Sequence, residues 1–70
     1  MSERVERVSG YVIPPEVSTH GCPRDEAERA IVASLNERLR REHVSPEALP
    51  RVLAEEERVF FDWLAKRAAS

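Results

Sequence analysis

Apolar residues recur at helical spacing in two stretches of the chain, and the spacing is lost before and between them. In the first, Ala27, Ala30, Ile31, Ser34, Leu35 and Leu39 fall on one face of a wheel drawn at about 100° per residue. The face is thin, because three of its six members are alanine or serine. Val32 lies at its edge and Arg38 on it, near the C-terminal end. In the second stretch Leu49, Val52, Leu53, Val59, Phe60, Trp63 and Leu64 span an arc of about 140°. Phe61 falls outside that arc, on the side of Ala54, Ala65 and Ala68. Residues 1–22 show no helical period and are punctuated by Gly10, Pro14, Pro15 and Gly21.

These patterns predict an all-α chain, an antiparallel two-helix hairpin preceded by an extended N-terminal segment with at most one short strand. The expected divisions are an extended segment over 1–22, a helix over 23–42, a link over 43–49 and a helix over 50–67. In the first segment Tyr11, Val12 and Ile13 have strand-type side chains, and Pro14 holds the residue before it extended. A mobile start is expected at Met1–Glu3. Antiparallel packing is the default for helices joined by a short link.

The stretch THGCPRDEAERA, residues 19–30, reads as a helix start. Pro23 suits a first helical position, where its missing N–H has no partner to lose. Asp25, Glu26 and Glu28 then favour the positive end of the helix dipole, and Arg38, Arg40 and Arg41 the negative end. Ser45, Pro46 and Glu47 read as a second start. Pro50 disturbs it, since an interior proline loses a hydrogen bond. A single element with an irregular first turn is expected; the alternative is a separate turn with the helix beginning at Pro50.

Composition narrows the chemistry. One cysteine, Cys22, excludes an internal disulfide and suits a reducing, cytoplasmic setting. MSERVERVSG lacks the apolar centre of a secretory signal, and no apolar run approaches the roughly 20 residues of a membrane span. Ten of the eleven basic side chains are arginine, as a GC-rich bacterial or phage genome would encode. Net charge is −2 and is balanced locally. There is therefore no basic stripe for a phosphate backbone, and nucleic acid is not the expected partner. His20, Cys22 and His43 are too few and too scattered for a structural zinc site, which takes four ligands. No metal, cofactor or catalytic residue is expected, and the chain does not read as an enzyme.

Glu56 falls near the middle of the apolar arc of the second helix, and the hairpin register brings Arg38 toward it. A partly buried ion pair would fix register there; otherwise Glu56 awaits a group on a partner. The aromatic side chains carry the functional expectation. One thin face cannot cover Val52, Phe60, Phe61, Trp63 and Leu64 together, and each large apolar side chain left in water forfeits roughly 1.5–3 kcal/mol. Three occupants can cover them: the YVI segment folding back, a second copy, or another protein. The expected function is a small interaction module (adaptor, inhibitor or accessory subunit) binding a partner protein or a second copy, a homodimer included. Its expected contact residues are Tyr11, Val12, Ile13, Phe61, Trp63 and Glu56.

A second reading starts from element order. Extended segment, helix, link and helix is also the order of ribbon-helix-helix DNA-binding proteins, and RREHVSPEAL is similar to that family's turn between helices. The resemblance would imply a dimeric regulator or antitoxin with paired strands in the major groove. The long gap after YVI, Pro50, and the acids Glu3, Glu6 and Glu16 depart from that pattern.

Overall fold

A computed structural model describes residues 3–69 and shows the two-helix hairpin, with no strand among them. Met1 and Ser2, within the expected mobile start, lie outside the described residues. Helix α1 is Arg24–Glu42 and helix α2 is Leu49–Ala69.

The first helix begins one residue later than expected. Pro23 stands at the N-cap with an extended ψ of 134°, not inside the helix. Its carbonyl accepts the first helical bond, from the Ala27 amide at 3.0 Å. The turn before it decides this placement. His20 and Gly21 both have positive φ, 51° and 88°, the pattern of a type I′ turn. That turn closes through Cys22 N–H donating to the Thr19 carbonyl at 3.0 Å. The Thr19 hydroxyl donates back to the Cys22 carbonyl at 2.6 Å. Cys22 is therefore turn backbone with a half-buried thiol packed at the edge of the core.

Ala27, Ile31, Leu35 and Leu39 are the buried residues of α1, one stripe at i,i+4 spacing. Ala30 and Ser34, expected on the same face, are exposed. The contact is narrower than the wheel suggested because a single row carries it. α1 ends at His43, whose φ of 48° is left-handed, a common way for a helix to stop. Val44 then turns back into the core, 6% exposed.

The link forms a separate turn over residues 46–48. Ala48 and Leu49 donate to the carbonyls of Ser45 and Pro46, and Val52 donates to Ala48 as the first full helical bond. Leu49 opens α2, so Pro50 sits in the first turn, where its absent N–H costs nothing. α2 continues past the expected 67, to Ala69.

The core has two joined parts. Leu35, Leu39, Val44 and Val52 fill the link end, with Val5, Val8 and Leu53 packed against them. Ile13, Ala27 and Ile31 fill the other end, with Tyr11, Val17, Cys22, Leu53, Phe60 and Phe61 around them. The extended segment supplies side chains to both. It lies as a strap along the hairpin, antiparallel to α1.

Candidate interaction surface

The strap is held by side chains acting in place of a neighbouring strand. Asn36, in the middle of α1, accepts from the Val8 amide at 2.7 Å through Oδ1 and donates to the Val8 carbonyl at 3.0 Å through Nδ2. One amide side chain thus meets both backbone groups of one residue, as a paired strand would. Glu28 Oε2 accepts from the Ile13 amide at 2.9 Å. The Val44 carbonyl accepts from the Val5 amide at 2.8 Å. The Tyr11 hydroxyl donates to Glu57 on α2. Burial and that carboxylate together raise the Tyr11 pKa above its ordinary value.

Arg24 closes the far end. Its guanidinium donates to the carbonyls of Pro14, Pro15 and Val17 at 3.3, 3.2 and 2.6 Å. The charges at the start of α1 therefore do more than suit its dipole, since Arg24 ties the strap's turn to the helix.

Among the described residues nothing covers the opposite side of the hairpin in this way. There Glu56 accepts from the Ser34 hydroxyl at 2.6 Å and from Arg38 Nη1 at 3.2 Å. Arg38 also reaches Glu55 at 2.8 Å and Glu42 at 3.1 Å. These carboxylates hold the guanidinium pKa up, and Arg38 in turn holds the Glu55 carboxyl below the usual carboxylate range. Further along α2, Val59 is 68% and Trp63 51% exposed. An aromatic row crosses α2 between its two sides. Phe61 meets Phe60 edge-on at 5.8 Å, and Phe60 meets Trp63 at 5.9 Å. The Arg67 guanidinium lies 5.3 Å from the Trp63 ring centre, within cation–π range.

The six expected contact residues divide. Ile13 is 2% exposed and belongs to the core, with Tyr11 and Phe61 packed against it. These three are used within the chain. Phe61 lies outside the main arc of α2 because the strap covers it there. Glu56 is held by Ser34 and Arg38. Val12 points outward between two inward neighbours, as alternation requires, and is 71% exposed. Trp63 remains open, and Val59 joins it. The wheel placed Val59 on the apolar arc, but only the narrowness of the α1 stripe shows that it stays uncovered.

Cys22 and His43 stand at opposite ends of α1, about 30 Å apart at 1.5 Å per residue. Among the described residues no group of three His, Cys, Asp or Glu side chains is placed to hold a metal ion, and no helix is long and apolar enough to cross a membrane. No protein-family model, curated protein or solved structure matches the chain.

Proposed function

We propose that this chain is a small interaction module acting by contact, through the open side of α2, on a partner protein. Val59 and Trp63 form the contact centre, with Phe60 supporting the indole from the side. One observation carries the reading. After the chain has folded its own strap over Phe61, its single tryptophan is still 51% exposed. A domain of this size has few large apolar side chains to leave in water, and tryptophan is enriched at the energetic centres of interfaces.

The strap belongs to this reading as a stabiliser. It covers one side of the hairpin, so the other is the side left for a partner. Pairing two such segments as a DNA-binding ribbon would require each to leave Asn36, Glu28 and the apolar groove.

The test is capture from the native cell with tagged wild-type chain, the Trp63→Ala variant and an Arg29→Ala control. The expected result is a partner retained by wild type and by Arg29→Ala and lost by Trp63→Ala, with helix content unchanged. A partner held equally by all three places the contact elsewhere.

A further inference from the structure

We propose that Arg4 and Val5 of the strap form an acid-released clasp, in which protonation of His43 frees this end of the strap from the link. The two segments meet through two consecutive residues on each side. Arg4 Nη1 donates to His43 Nδ1, and the Val5 amide donates to the Val44 carbonyl at 2.8 Å. Val5 also packs against the cluster of Leu35, Leu39, Val44 and Val52. A cleft lined by Arg4, Val5, Glu6, Arg7, Leu39 and Arg40 already lies between this end and α1.

The chemistry of the contact sets its sign. A guanidinium only donates hydrogen bonds, so Nδ1 must be the bare nitrogen of a neutral ring whose proton sits on Nε2. An imidazolium carries N–H on both nitrogens and accepts nothing. Protonation therefore replaces a hydrogen bond with two cations face to face. The segments meeting there carry Glu3, Arg4, Glu6 and Arg7 on the strap, Arg40, Arg41 and Glu42 at the end of α1, and Glu47 in the link. Glu6 is bound to Arg4, Arg40 to Glu37, and Arg41 to Glu42. Among the described residues no carboxylate pairs with the ring to offset a charge on it. The carbonyl end of α1 favours a positive ring, so protonation is not barred. Histidine is the side chain whose ordinary titration falls between about pH 5 and 8.

The release has a limit built into the next attachment. At Val8 the strap is held by Asn36 through both backbone groups, and an amide side chain does not titrate. Residues 4–7 can therefore lift while residue 8 onward stays docked. Arg4 keeps Glu6 beside it at 3.4 Å when it leaves the ring. The Arg4–His43 contact is exposed, and exposed contacts between charged side chains are worth little. Its loss shifts the population of the docked end and does not empty it.

Amide hydrogen exchange of the full chain, each rate taken relative to the unstructured chain at the same pH, tests the proposal. From about pH 8 to about pH 5 the protection of the Val5 amide is expected to fall about fivefold, and that of Val8 to hold. His43→Asn supplies a residue that tolerates the left-handed backbone and cannot titrate, so it should abolish the fall. His20→Asn makes the same change at the other left-handed histidine and should keep it. If His43→Asn loses helix content, Arg4→Ala decides. Removing the donor should leave Val5 weakly protected at both pH values, and a fall of wild-type size in that variant overturns the proposal. Val5 protection indifferent to pH also overturns it, as does a fall that survives in His43→Asn or one shared equally by Val8.

Discussion

Arg38 of α1 and Glu56 of α2 meet at 3.2 Å, each with a side chain 18% exposed, on apolar faces of their helices. The pair sets the register of the hairpin. Arg38 also reaches Glu55 and Glu42, and Glu56 takes the Ser34 hydroxyl, so sliding the helices would leave several half-buried polar groups unmatched.

Reversing either charge, Arg38→Glu or Glu56→Arg, should destabilise the chain by roughly 1.5–3 kcal/mol, the range for hydrogen bonds to charged groups. The double swap should regain part of the loss. Urea unfolding of the four proteins measures the coupling, and strictly additive effects would show that the contact does not matter.

The strap depends on Asn36. Asn36→Ala should cost roughly 1–3 kcal/mol by leaving the Val8 amide and carbonyl without a partner. Asn36→Asp keeps the acceptor and sets a carboxylate against the Val8 carbonyl, so it should recover none of the loss. Thermal unfolding, with limited proteolysis at Arg7, reads both effects; a strap equally protected in both variants would mean that apolar packing alone holds it.

Tyr11 is the only tyrosine, so its ionisation can be followed by ultraviolet absorbance. Burial first, then the hydrogen bond to Glu57, raises its folded-state pKa above the ordinary value of 10.0. A raised pKa means stability that is full below pH 10 and is lost as the pH rises through the folded-state value. The absorbance midpoint should lie above 10 and fall in Glu57→Gln. An ordinary midpoint in wild type would place the phenol in solvent.

The hairpin, the extended segment and the Arg38–Glu56 meeting were legible in the sequence because each rests on a local rule: helical period, proline geometry, or register counted from a short link. The strap's attachment was not. Asn36, Glu28 and Arg24 lie on polar positions of α1, where a wheel assigns them to solvent, and only tertiary placement turns them toward the backbone of residues 8–17. Phe61 went to the wrong surface for the same reason. An extended segment has no period to show which groove it fills, so the groove it closes cannot be told from one left open.

Phe61 and Trp63 should accordingly behave in opposite ways. Phe61→Ser is expected to cost roughly 2–4 kcal/mol, as for other truncations of packed aromatic residues, a large share of the stability of so small a domain. Trp63→Ser should change the stability of the dilute chain by less than about 1 kcal/mol. Chemical denaturation at low protein concentration compares them, and equal losses would mean that the two rings share one core.

Trp63 is open in the isolated chain, and the proposed contact requires it to be covered in the associated one. Since it is the only tryptophan, acrylamide quenching of its fluorescence reports that residue alone. The quenching constant should be that of a solvent-accessible indole in the dilute chain and fall severalfold when the chain is concentrated or bound to a partner. A ring already shielded at high dilution, or one equally quenched in the associated state, would contradict the assignment of this surface.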